Sequence, residues 1–170
     1  MSDATTRLTI QKLAIFVDVQ NVYYTVKQIY GSNFDYNKFW SQATEGREVI
    51  KAVAYAINKG DKRQQEFQNI LRSIGFEVKL RPFIQRADGS AKGDWDVGIT
   101  IDVMDFANGA DVIVLVTGDG DFDLLATRVR SEGGKRVEVY GVARLTANSL
   151  IDAASEFIAI DTPLLLPRRK

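Results

Sequence analysis

Two short runs with no polar residue in them constrain this chain most. Leu13–Val17 (LAIFV) and Val112–Val116 (VIVLV) are each five apolar residues rich in β-branched side chains. A strand with one wet face alternates polar and apolar residues; a run with no alternation is covered on both faces, as in a parallel sheet flanked by helices. Asp18 directly follows the first run, and Thr117-Gly118-Asp119 follows the second. In open parallel sheets ligands bind outside the carboxyl ends of the strands. Both runs therefore deliver acids to the place where chemistry is expected.

The rest of the chain alternates in kind. Helical spacing is expected over Asn21–Tyr30, with Val22, Tyr23, Val26 and Ile29 in phase and Gly31 as its stop. A short helix follows over Phe34–Ala43, then a strand over Val49–Ile57. Asp61–Ile74 is the clearest helix, capped near Asp61, with Phe67, Ile70, Leu71 and Ile74 on one face and Gly75 beyond. Phe76–Phe83 reads as a strand and Gln85–Gly93 as a polar loop. Asp96–Asn108 reads as a helix apolar around most of its circumference, hence largely buried. Thr117–Asp123 is a Gly- and Asp-rich turn, Phe122–Ser131 a helix, Arg136–Tyr140 a strand, Thr146–Ala153 a short helix and Phe157–Ile160 a last strand. This order gives one α/β domain over 12–162, a three-layer α/β/α arrangement with a mostly parallel central sheet. Residues 1–11 form a flexible N-terminus and residues 163–170 a loose basic tail.

The 170 residues contain no histidine and no cysteine. Disulfides, cysteine nucleophiles and histidine general bases are excluded, and with them the Ser-His-Asp triad. Hydrolytic chemistry is left to carboxylates, Lys, Tyr, or water activated by a hard cation. Lys plus Arg and Asp plus Glu both number 22, so no general basic coat for nucleic acid exists, although an acidic centre can offset a basic track elsewhere. No apolar run approaches the roughly 20 residues of a membrane span. The polar N-terminus is no secretory signal, so a cytoplasmic location without membrane contact is the expectation.

Three acidic clusters carry the functional argument. Asp18 and Asn21 bracket the start of the first helix; capping that helix is the plain alternative to function. Asp94 and Asp96 open a later helix, where the helix dipole alone favours acids. Asp102 lies six positions past Asp96, about 120° around the helix, too far round to share an ion with it. Asp119, Asp121 and Asp123 fall within five residues, and such acids repel unless a cation neutralises them. The Asp-x-Asp-x-Asp spacing begins like a calcium loop, but Leu124 stands at its glycine position and Arg130 at its final glutamate position. Gly118–Asp123 also fits the acidic motif of haloacid-dehalogenase-like phosphatases, yet their second acid, two places after the nucleophile, would be Gln20 here.

The segments Phe16-Val17-Asp18-Val19-Gln20-Asn21, Lys92-Gly93-Asp94-Trp95-Asp96 with Asp102, Val116-Thr117-Gly118-Asp119-Gly120-Asp121-Phe122, and Arg136-Val137-Glu138-Val139-Tyr140-Gly141 together resemble the NYN domains of the LabA-like group, within the PIN-like nuclease superfamily. The resemblance spans roughly Leu13 to Ile160. It implies a PIN-like fold, a Mg²⁺ or Mn²⁺ centre and an RNA substrate. By motif, Asp18, Asp96, Asp119 and Asp121 would be metal-binding and catalytic, and Asn21 would orient a ligand or water. Thr117 stands where the family commonly has Ser, and it is taken with Lys92 as a substrate contact.

Arg81, Arg86, Lys92, Lys62 and Arg63 are the other candidate phosphate contacts, with solvated surface charge as the plain explanation. Tyr23, Tyr24 and Trp95 are candidates for stacking on single-stranded bases; core packing is the competing role, preferred for Tyr23. The leading expectation is a Mg²⁺- or Mn²⁺-dependent ribonuclease on single-stranded RNA, with DNA as a second polymer and a possible homodimer. A non-catalytic RNA- or protein-binding regulator is the alternative, and a phosphatase comes third.

Overall fold

The computed structural model describes residues 9–82, 84–85, 91–92 and 94–167. Its strands are β1 (Lys12–Asp18), β2 (Glu48–Asn58), β3 (Glu77–Pro82), β4 (Ile84–Gln85), β5 (Ala91–Lys92), β6 (Val112–Val116), β7 (Arg136–Gly141) and β8 (Glu156–Ala159). Its helices are α1 (Val19–Tyr30), α2 (Tyr36–Thr44), α3 (Lys62–Ile74), α4 (Asp96–Phe106), α5 (Asp123–Ser131) and α6 (Asn148–Ala153). Six strands form one sheet in the order β3-β2-β1-β6-β7-β8, and every neighbouring pair is parallel. The short β4 and β5 pair with each other, antiparallel, inside the region expected to be loop.

The two apolar runs are continuous because both sheet faces are covered. Leu13, Ile15 and Val17 point to one side, where they join Val22 and Val26 of α1, Phe39 of α2 and Leu71 of α3. Ala14 and Phe16 point to the other, with Ile99 and Val103 of α4, Ala126 and Val129 of α5 and Leu150 of α6. The result is an α/β/α sandwich. Strand order runs outward through β2 and β3 on one side of β1, and through β7 and β8 beyond β6. The order therefore reverses between β1 and β6, and the crevice beyond their carboxyl ends is where such folds bind ligands.

Aspartates set three helix starts: Asp18, Asp35 and Asp61 each accept a hydrogen bond from the backbone N–H three residues on. Gly31 ends α1 at φ 63°. Gly75 ends α3 at φ 138°, and a Cβ there would lie 2.8 Å from the Trp40 ring, so both dihedral and space demand glycine.

Several expectations need correction. α4 is not largely buried: it lies on the sheet along one stripe, Ile99, Val103 and then Ala107, while Val97, Ile101 and Met104 face outward. Its apolar circumference therefore exceeds what the sheet covers. On α3, Ile70 is also exposed. α2 begins after Asp35, because that side chain caps it, and Phe34 instead bridges to Leu165. The start of the expected tail is not loose. Leu164 is buried, its carbonyl accepts from Asp35 N, and Leu166 exchanges hydrogen bonds with Asn33 and Ser32. Phe83, Arg86, the N-terminal 1–8 and the final 168–170 lie outside the described residues, as does the Lys92 side chain.

Candidate metal centre

Each acid is delivered by a strand end or a helix start. Asp18 closes β1, and its two oxygens divide their work: Oδ1 accepts from Asn21 N at 3.4 Å, and Oδ2 accepts from the Thr117 hydroxyl at 3.2 Å. Asp18 therefore does cap α1, and that capping fixes its carboxylate at the mouth of the crevice. Asn21 turns its Oδ1 to accept from Gly118 N at 2.9 Å, tying α1 to the loop after β6. Thr117 is 3% exposed, and its hydroxyl also accepts from Asp119 N at 3.2 Å. That hydroxyl orders two acids and is almost buried. A Cβ on Gly118 would sit 2.8 Å from the Leu145 carbonyl oxygen, so the loop passes where only glycine fits.

Beyond Gly118, Asp119 accepts from Asp121 N at 2.9 Å and starts the 3₁₀ turn Gly120–Phe122, whose Phe122 is buried against the sheet. Across the crevice Asp96 opens α4. The approach to it is anchored by Trp95, whose Nε1 donates to the Ala56 carbonyl at 2.9 Å, and by Arg81, which lies over the Trp95 ring and donates to the Asp94 carbonyl.

One carboxylate oxygen from each of Asp96, Asp119 and Asp121 lies within 4.8 Å of the others. Asp18 stands outside that set, yet its charge is felt by Asp96. Burial, then the charges of Asp119 and Asp94, push the Asp96 carboxyl up to about 7. Burial does most to raise Asp18 to about 6, with Asp119 and Asp94 adding to it and the Asn21 and Thr117 hydrogen bonds opposing it. No ion pair between described residues neutralises Asp18, Asp96, Asp119 or Asp121. Hard oxygen donors, three of them convergent and uncompensated, fit a divalent cation such as Mg²⁺, which takes few carboxylates and keeps room for water and phosphate oxygens.

The NYN domain family model matches residues 12–161. This chain belongs to the NYN domain family. Over 158 residues it is 27% identical to the low amplitude and bright protein LabA of Synechococcus elongatus, covering 88% of this chain and 84% of that protein. The crystal structure of a Vibrio parahaemolyticus protein of unknown function is 57% identical, with a TM-score of 0.88, covering 92% of this chain and 97% of that one.

In this NYN domain Asp102 is separate from the cluster. It holds Lys79 at 2.7 Å and the Tyr55 hydroxyl at 2.7 Å; burial raises its carboxyl, and those two partners more than offset it, leaving it below the usual carboxylate range. Tyr23, for which core packing is expected, is 50% exposed and meets Tyr24 edge-on. Trp95 is half-buried and held as described. Tyr36 and Gln68, singled out by nothing in the motifs, lie almost buried beside the crevice. The one sequence signal for Gln68 is an amide on the same helical stripe as Phe67 and Leu71.

Proposed function

We propose that this protein is a cytoplasmic, Mg²⁺- or Mn²⁺-dependent ribonuclease, hydrolysing RNA phosphodiesters at the aspartate cluster between β1 and β6. The observation that carries this reading is the convergence of Asp96, Asp119 and Asp121 within 4.8 Å, without a neutralising cation among the described residues. Membership of the NYN domain family, which is nuclease-like, supports it. No described helix is long and apolar enough to cross a membrane.

Asp96, Asp119 and Asp121 would hold the ion, with Asp18 completing the acidic wall. When bound, the ion supplies acidity to water and positive charge to a phosphodiester oxygen, so histidine is not needed. The chain's own part is orientation. Asn21 and Thr117 hold Asp18 and the Asp119 loop in register, and β5 carries Lys92 to within two residues of Asp94, where it is assigned a phosphate contact. The phosphatase reading lacks its second acid, because the residue two places after Asp18 is Gln20.

The test is cleavage of labelled single-stranded RNA and DNA with Mn²⁺, Mg²⁺ or EDTA, by wild type and Asp18→Asn. Asparagine caps a helix as well as aspartate does, so the variant keeps its fold. RNA cut only with metal, and at least about a hundredfold more slowly by the variant, or ~2.7 kcal/mol in the barrier, supports the reading. Folded wild type that cuts neither polymer with either metal overturns it in favour of a binding protein on the same fold.

A further inference from the structure

A cavity of about 530 Å³ is lined by residues of α1 and α3 and includes Val19 and Gln20, the two residues after Asp18. Its size falls within the range of small-molecule sites, roughly 300–1,000 Å³. Two polar side chains in its lining are more than nine-tenths buried: Tyr36 at 8% exposure and Gln68 at 6%. Neither the Tyr36 hydroxyl nor the Gln68 amide has a hydrogen-bond partner among the described residues. No described side-chain polar atom is both sealed and unpartnered, so both tips open into the cavity they line. Both tips are reached by water in the cavity, and a ligand seated there would take over those hydrogen bonds.

The surroundings narrow that ligand. Phe67 forms an apolar wall, Tyr23 is a half-exposed ring at the rim, and Arg63 is a cation on the same rim. A primary amide offers a donor and an acceptor side by side, the pattern that matches the edge of a base. An aromatic ring at the rim offers a stacking face to any base. The Asp18 charge also reaches the Tyr36 hydroxyl, so this cavity and the acidic centre are neighbours in space as well as in sequence.

We propose that this cavity receives the base of an unpaired nucleotide whose phosphate lies at the aspartate cluster, with Tyr23 stacking on the base and the Gln68 amide and Tyr36 hydroxyl bonding its edge. This rests on the nuclease reading for where the phosphate sits. A base in a duplex has its edge and faces occupied, so the pocket selects single strands.

Binding tests it without cleavage. With Ca²⁺ neutralising the carboxylates, calorimetry would compare AMP with ribose 5-phosphate, and anisotropy would compare a short labelled single-stranded RNA with its duplex. AMP should bind at least fivefold more tightly than ribose 5-phosphate. Tyr23→Ala and Gln68→Met should each weaken AMP and single-stranded RNA by roughly 5- to 150-fold, leaving Mn²⁺-induced stabilisation unchanged. Tyr23 is exposed, so its variant folds even if the Gln68 variant does not. Ribose 5-phosphate binding as tightly as AMP, or Tyr23→Ala binding both probes as wild type does, overturns the pocket. That failure leaves metal-dependent cleavage by wild type untouched. Preference for AMP in a protein that cuts no RNA supports the pocket and removes only the nuclease reading.

Discussion

The two ends of the sheet treat their carboxylates in opposite ways. At the amino ends of β7 and β8, Glu138 is 4% exposed and held by two guanidiniums. Arg47 grips it bidentately at 2.9 and 2.8 Å, Arg136 adds Nε at 2.8 Å and also pairs with Glu156. Burial raises the Glu138 carboxyl, and the two arginines more than offset it, leaving it below its ordinary range. At the carboxyl ends of β1 and β6, Asp18 and Asp96 are raised, to about 6 and about 7, and no arginine among the described residues pairs with them. One end spends its acid on holding the fold; the other gives its acids hydrogen-bond donors but no paired cation among the described residues, at a cost in stability. A site that must accept a cation has to be left uncompensated by the protein itself.

The sharpest way to break this contrast is to remove the compensated acid. Glu138→Gln leaves Arg47 and Arg136 facing each other over a neutral amide. It should cost about 3 kcal/mol, the low end for breaking a buried pair, because Arg136 is 40% exposed and regains water. Urea denaturation measures it. A loss no larger than that of an exposed pair, under about 1 kcal/mol, would mean the amino end is no more tightly held than the surface.

The acidic end should respond to a cation instead. At a hundred times its Kd, a bound divalent ion adds about 2.7 kcal/mol, or roughly 5–10 °C in Tm for a chain this long. Asp119→Asn should abolish that rise in Mg²⁺ or Mn²⁺ while melting no lower than wild type in EDTA, since it relieves repulsion. Thermal melts with titrated metal decide the matter; an equal rise in wild type and variant would take the ion away from this cluster.

How much of this was legible follows the same divide between local and distant. The strands could be read because LAIFV and VIVLV need no partner to declare themselves, and the acids after them could be placed because strand ends are where such sheets bind ligands. Asp102 could be separated from Asp96 by helical angle alone, and its pairing with Lys79 and Tyr55 agrees. What stayed hidden depends on which neighbour arrives. Arg47 and Glu138 are 91 positions apart. The outward face of α4 is apolar and reads as core until the width of the sheet contact is known. The place of the Thr117 hydroxyl between the Asp18 carboxylate and the Asp119 N–H depends on a residue 99 positions away. Tyr23 sits in phase with Val26 yet points out, and the cavity it lines is walled by residues as distant in sequence as Val19 and Gln68.

The smallest effect follows from pH, and its sign differs between the two ends. Asp18 and Asp96 bind their protons more tightly folded than unfolded. Their contribution to stability is therefore complete below the ordinary aspartate value of 3.8 and is lost as pH rises through about 6 and about 7. Glu138 and Asp102 are shifted down, so their contribution is present above the ordinary carboxylate range and is lost as pH falls below it. Metal-free protein should accordingly be most stable near pH 5 and weaken toward pH 8. Saturating Mg²⁺ holds the cluster ionised and should erase the weakening on the alkaline side only. Glu138→Gln should shrink the acid side to what Asp102 contributes and leave the alkaline side as it was. Urea midpoints from pH 4 to 8.5, in EDTA and in Mg²⁺, separate the two limbs. Stability in EDTA that stays level or rises between pH 5 and 8 would show that the aspartates are neutralised by the chain itself, and the contrast between the two ends would disappear.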